Sequence, residues 1–215
     1  MIKLDILSDP ICPWCMIGKA ELEAALTSFG DHPFEIEWHP FQLNPEMPPS
    51  GMERTAYLEE KFGGAEGAKS AYAPIVERAE ALGLDIAWDK ISVTPNTLNA
   101  HRLIHWAGLE GRQYDVVGLL FDAYFQKGEN IGDLDVLATI SARAGMDRDV
   151  TLKLLTSDAD VDDIRTRDAK SRERGVTGVP TFIVAGQYVL PGAQPENLWT
   201  QVLTELAEKN LATMH

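Results

Sequence analysis

Ser8-Asp9-Pro10-Ile11-Cys12-Pro13-Trp14-Cys15 follows directly on the alternating stretch Ile2-Lys3-Leu4-Asp5-Ile6-Leu7, and this junction decides the fold. Ile2, Leu4 and Ile6 alternate with Lys3 and Asp5, the period-two pattern of a short strand. Ser8, Asp9 and Pro10 interrupt it. Pro13 suits a first helical turn, and Leu22, Leu26 and Phe29 then share one face until Gly30 closes the segment. The reading is a strand that turns sharply into a helix, with both cysteines at the helix start.

Working outward, Phe34, Ile36 and Trp38 alternate with Glu35, Glu37 and His39, a second strand that the proline-rich run 40–49 ends. Helical spacing then takes over, with segments near 52–62, 65–82, 95–107, 113–126, 134–144, 148–156 and 158–174. Only 84–88 has extended character there. Strand patterns return at 181–184 and 188–190, around Ala185-Gly186-Gln187, and 194–209 reads as a last amphipathic helix. This order predicts an α/β domain built from 1–50 and 175–215, carrying a helical insertion at 51–174 whose last helix is a candidate to return to the α/β domain.

Composition narrows the function. Nineteen Lys and Arg against 33 Asp and Glu leave a net charge of −14, which repels phosphate backbones and anionic lipid, so neither nucleic acid nor membrane is an expected partner. No stretch approaches the roughly 18 apolar residues of a membrane span. Acidic residues interrupt the apolar start and no small-residue cleavage site follows, so no signal peptide is read and a cytoplasmic location is expected. The two cysteines stand three positions apart, too close for a structural disulfide closing a useful loop.

Their use is therefore expected to be chemical. A thiol attacks a disulfide as its thiolate, and a helix N-terminus favours a negative sulfur through its free N–H groups and dipole. This assigns Cys12 as the nucleophile, with a depressed pKa, and Cys15, one turn on, as the resolving thiol. Neither Pro13 nor Trp14 is a cation, so a moderate oxidant or a reductant is expected. Zinc is the competing explanation of paired cysteines, but His39, His101 and His105 would have to complete the usual four ligands, and no metal is expected. A second motif, Gly175-Val176-Thr177-Gly178-Val179-Pro180-Thr181-Phe182, sets a proline before a strand. Read alone, it is an edge-strand proline; a cis bond there would turn the Val179 backbone groups outward for an extended peptide.

Taken together, Cys12-Pro13-Trp14-Cys15, Gly178-Val179-Pro180-Thr181 and the helices between them resemble the DsbA-like thioredoxin-fold family. The FrnE branch is suggested by Trp38-His39-Pro40-Phe41-Gln42-Leu43-Asn44-Pro45, Asn96-Thr97-Leu98-Asn99-Ala100-His101-Arg102-Leu103 and Gly192-Ala193-Gln194. The resemblance implies a thioredoxin fold with an inserted helical domain, a cis Val179–Pro180 facing Cys12, and dithiol–disulfide exchange with protein or peptide thiols. Pro13, Trp14, Val179 and Pro180 would form the substrate rim. Phe41, Asn96 and His101 are candidates for the groove between the lobes, each with a competing reading as core packing, helix cap and ordinary helix residue respectively. No cofactor is required, although glutathione is a candidate redox partner. Related 2-hydroxychromene-2-carboxylate isomerases and kappa-class glutathione transferases use bound glutathione and a serine where Cys12 stands. A glutathione-dependent isomerase or transferase is thus the rival enzyme, and a non-catalytic peptide-binding or chaperone module the rival of another class. Oligomeric state is not readable, and a dimer is compatible with the chain.

Overall fold

The computed structural model describes residues 1–212, with side-chain surroundings through 208. β1 (Ile2–Ser8) and α1 (Pro13–Phe29) flank the turn at 9–12, and β2 (Phe34–Pro40) follows. β1 and β2 pair in parallel, Leu4 beside Ile36, while β5 (Thr181–Val184) lies antiparallel on the other side of β1, Leu4 beside Val184. β6 (Tyr188–Pro191) completes a four-stranded sheet of order β2-β1-β5-β6. The last strand pair and α9 (Glu196–Ala212) close the thioredoxin-type α/β frame that opens with β1 and α1.

Alternation along the strands dictates what the sheet buries. Leu4, Ile6, Phe34, Phe182 and Val184 are buried with Leu22 and Leu26 of α1 and Trp199 and Leu203 of α9 in one core. Trp199 meets the Phe182 ring edge-on at 4.9 Å. A buried carboxylate pins these helices: Glu21 of α1 accepts from the backbone N–H of Glu196 at 2.8 Å and from the Arg78 guanidinium. The N–H groups that a helix start leaves free thus find an acceptor across the helix pair.

Between β2 and β5 run α2 (Arg54–Phe62), α3 (Ala65–Ala81), α4 (Leu98–Leu109), α5 (Gln113–Phe121), α6 (Leu134–Arg143), α7 (Arg148–Leu155) and α8 (Val161–Glu173). Two details depart from the helical pattern. Met52–Glu53 (β3) pairs antiparallel with Val93–Thr94 (β4); a strand of two residues is too short to show a period. The helix read over 113–126 leaves α-geometry at Phe121, and Asp122–Gln126 forms a π turn. Such turns recur at functional sites, and this one carries Tyr124.

Polar contacts hold the helices to the sheet. Gln113 accepts from Trp38 N–H through its side-chain oxygen at 2.8 Å and donates from its NH2 to Trp38 C=O at 3.1 Å. Its amide thus imitates a neighbouring strand along the open edge of β2. From α8, the buried Asp168 accepts from Gln42 N–H at 2.8 Å and Arg172 lies 4.1 Å over the Phe41 ring. Arg102, almost fully buried, gives its N–H groups to the carbonyls of Leu154, Leu155, Ser157 and Ala159 and to Asn99. A cation thereby closes the C-terminal end of α7, where the helix dipole favours it.

Candidate active site

The turn after β1 presents the dithiol. Cys12 is the N-cap of α1 with extended backbone, φ −86° and ψ 114°, and Pro13 follows at the position where a missing N–H costs nothing. The Cys12 carbonyl accepts from Cys15 N–H at 3.0 Å and Met16 N–H at 3.3 Å, while Cys12 N–H donates to Asp9 C=O at 2.9 Å. No side chain caps this helix and no acidic residue sits in its first turn. Its positive end therefore faces the cysteine without a competing anion.

Both cysteines are free thiols, and both are buried. Burial, foremost, and the hydrogen-bonded Cys12 sulfur beside it push the Cys15 thiol well above its ordinary pKa, partly offset by the Ser8 hydroxyl and the Asp9 N–H. The inner sulfur is thus held protonated. The outer sulfur points elsewhere: Cys12 Sγ donates to the Val179 carbonyl at 3.5 Å. The Val179–Pro180 peptide is cis, and Gly18 allows the close approach of α1 to this loop. A Cβ on Gly18 would stand 3.1 Å from Pro180 Cγ and 3.2 Å from Phe182 Cζ.

A cavity of about 290 Å³ opens at Cys12, lined by Pro13, Trp14 and Val179 on one side and by Arg54, Tyr57, Lys61, Tyr72 and Tyr124 on the other. The dithiol junction and the inserted helices thus share one hollow. Cys15 and Pro180 lie behind the lining. Phe41 is buried under Arg172. Asn96 uses its side chain within the loop, donating to Met47 C=O at 2.6 Å and accepting from Leu98 N–H at 2.9 Å. His101 is buried beside Asp9, its Nε2 3.8 Å from a carboxylate oxygen. None of these three lines the cavity.

Asp9 and His101 form a buried polar pocket behind the dithiol. Burial pushes the Asp9 carboxyl up to about 7 against the pull of N–H donors from Leu43 and Ile11, and burial, with Arg167 nearby, brings His101 down to about 3. His39 and His105 meet a cation: Arg167 reaches His105 Nδ1 at 3.1 Å and His39 Nδ1 at 3.3 Å. Asp5, Glu37 and His39 converge as metal ligands would, but Lys3 already bridges the two carboxylates at 3.1 and 2.8 Å.

The insertion residues that do line the cavity, Arg54, Tyr57, Lys61, Tyr72 and Tyr124, were not singled out in the sequence, whereas Asn96 and His101 were. Arg54, Tyr57 and Lys61 are spaced i, i+3 and i+7, one face of α2. A basic and aromatic stripe in an acidic chain was the available signal, although such a stripe is more often a solvated face.

Comparison with known proteins adds the following. A family model described as a DSBA-like thioredoxin domain matches residues 3–203. The chain is 28% identical over 214 residues to the uncharacterized protein YwbO of Bacillus subtilis (strain 168), covering 97% of this chain and 98% of that one. Among solved structures it is similar to a probable DsbA oxidoreductase from Streptomyces coelicolor, with a TM-score of 0.84 and 28% identity over 95% of this chain and 89% of that one. It also shares the fold of the cytosolic disulfide reductase DsbM from Pseudomonas aeruginosa, solved with GSH, with a TM-score of 0.68 and 18% identity over 95% and 99% of the two chains. No helix among the described residues is long and apolar enough to cross a membrane.

Proposed function

Because the chain belongs to the family of DSBA-like thioredoxin domains, we propose that it is a thiol–disulfide oxidoreductase working through the Cys12-Pro13-Trp14-Cys15 dithiol. The observation that carries this reading is the placement of Cys12 at the uncapped N-terminus of α1, its sulfur 3.5 Å from the Val179 carbonyl at the mouth of a cavity. In the first step the Cys12 thiolate attacks one sulfur of a substrate disulfide. That S–S bond breaks, and the departing thiolate takes up a proton. Cys15 then loses its proton and attacks Cys12 Sγ, closing the protein disulfide and releasing the second thiol. Run in reverse, the same steps oxidise a substrate dithiol.

The buried, proton-holding Cys15 suits this order, since it is silent until a mixed disulfide has formed at Cys12. Peptide or protein thiols are the substrates in this reading, with Pro13, Trp14 and Val179 as the receiving rim and Pro180 behind it. Glutathione is the redox partner, as suggested by the GSH-bearing structure of similar fold, and no metal or organic cofactor is needed. The working compartment is the reducing cytoplasm, and the direction reduction or isomerisation.

The test is an equilibrium titration of the purified protein in glutathione buffers, read by mass after thiol alkylation. A reversible two-electron transition at about −220 to −320 mV is expected. A pair that never forms a disulfide overturns the reading. Small-molecule turnover retained in Cys12→Ser, with saturable glutathione binding, would put a glutathione-dependent isomerase in its place.

A further inference from the structure

The wall of the Cys12 cavity is unusual in its charge. It contains Arg54 and Lys61 and no Asp or Glu, although the chain carries 33 acidic residues. Arg54 is buried at 7% exposure, yet the side-chain partners of its guanidinium among the described residues are phenols and include no carboxylate. Its guanidinium donates to two phenols, Tyr124 at 3.3 Å and Tyr72 at 3.2 Å, and lies over the Tyr72 and Trp88 rings at 5.4 and 5.6 Å.

Phenols of this kind supply no countercharge near neutrality. Burial raises the Tyr72 hydroxyl above its ordinary pKa and pushes Tyr124 up to about 12. Arg102, the other deeply buried arginine, shows the contrast, since carbonyl and amide oxygens surround its N–H groups. A buried cation with unfilled donors is costly unless an anion joins it. Lys61, further along the same face of α2, bonds only the Tyr57 hydroxyl among the described residues, at 2.6 Å.

We infer that Arg54, backed by Lys61 at the rim, is the receptor for a carboxylate of the exchanging molecule, so that the small-molecule partner of Cys12 is an anionic, carboxylate-bearing thiol or disulfide. The inference rests on the dithiol reading above. Arg54 lies inside a hollow of about 290 Å³, a volume that admits a small thiol compound. A planar guanidinium with free N–H groups matches a carboxylate in two parallel bonds. Cys12 and Arg54 line the same hollow, so a short thiol compound anchored at Arg54 has its sulfur inside the space that Cys12 borders. The exchange is balanced: one disulfide and the Cys12/Cys15 dithiol give two molecules of thiol and the protein disulfide, two electrons passing from protein to substrate.

The experiment measures oxidation rates of the reduced protein by glutathione disulfide, which carries carboxylates, and by neutral bis(2-hydroxyethyl) disulfide. Each rate is divided by that disulfide's rate with a free model dithiol. The wild-type protein is expected to favour glutathione disulfide by about tenfold or more, the worth of one charge-assisted contact. In Arg54→Met that preference is expected to vanish, and in Lys61→Met, at an exposed position that does not endanger folding, to fall about two- to threefold. Equal normalised rates in the wild-type protein overturn the carboxylate receptor while leaving the dithiol intact. A preference that survives both substitutions overturns it as well. Failure of both disulfides to oxidise the wild-type protein sinks the dithiol reading and this inference with it.

Discussion

Cys12 Sγ donates to the Val179 carbonyl at 3.5 Å, across 167 positions of sequence. The contact joins the start of α1 to the loop that leads into β5, and it exists because β1 pairs with β5 while α1 leaves directly from the end of β1. A sulfur held against a main-chain acceptor at a cavity mouth has its approach set by backbone rather than by flexible side chains.

Separate roles for the two thiols follow. Cys12→Ser is expected to abolish disulfide exchange, whereas Cys15→Ser is expected to stop it after the first step and accumulate a mixed disulfide at Cys12. Intact-protein mass after incubation with glutathione disulfide reads both. Stable adduct on Cys12→Ser rather than on Cys15→Ser would reverse the assignment.

Gly18 sets the spacing between α1 and the Pro180 loop. A side chain there meets Pro180 Cγ at 3.1 Å, Phe182 Cζ at 3.2 Å and the Ala193 Cα at 3.4 Å, so it must push ring or backbone atoms rather than a mobile side-chain end. Replacing helical glycine by valine gains only about 0.3–0.5 kcal/mol of propensity, but overpacking costs about 1–3 kcal/mol. Gly18→Val is expected to be destabilising by roughly 2 kcal/mol in urea unfolding and to slow exchange by displacing Val179 from Cys12. An unchanged midpoint would show that the loop yields freely.

The buried Asp9–His101 pair predicts two opposing pH dependences. The folded Asp9 carboxyl, at about 7 against an ordinary 3.8, binds its proton more tightly than the unfolded one, so its contribution is full below pH 4 and is lost as pH rises to 7. His101, at about 3 against 6.5, behaves oppositely: its contribution is full above pH 6.5 and is lost as pH falls towards 3. Each shift is worth ~4 kcal/mol, and between pH 4 and 6.5 the slopes nearly cancel. Asp9→Asn is expected to lose stability on acidification over that range, and His101→Gln to gain it. Denaturation midpoints at several pH values separate them, and parallel slopes in the two variants would refute the assignment.

Gln113 guards the edge of β2. Its amide makes both bonds that a further strand would make to Trp38. Gln113→Ala removes them from a partly buried edge, with an expected loss of about 2 kcal/mol and a rise in concentration-dependent association through the uncovered strand. Unfolding curves and sedimentation at two protein concentrations check both effects.

Much of this molecule is local in origin. The turn from β1 into α1 is written in the alternation of residues 2–6 and the Pro13 that follows, and α1 spans 13–29 as its apolar face and Gly30 require. The helices of the insertion begin and end within a few residues of their punctuation, because capping and periodicity depend on neighbours along the chain. The placement of Cys12 and Cys15 one turn apart at the start of α1 was legible for the same reason, since it depends only on residues close along the chain. Periodicity reports which face of an element is buried but not against what. Sheet pairing alone brings Val179 to Cys12, and packing of α2, α3 and the π turn alone gathers Arg54, Tyr72 and Tyr124 at the same hollow. Asp9 and His101 became a buried pair only when the turn after β1 and the α4 helix came together, and their proton affinities follow from that exclusion of water rather than from anything in their sequence neighbourhoods.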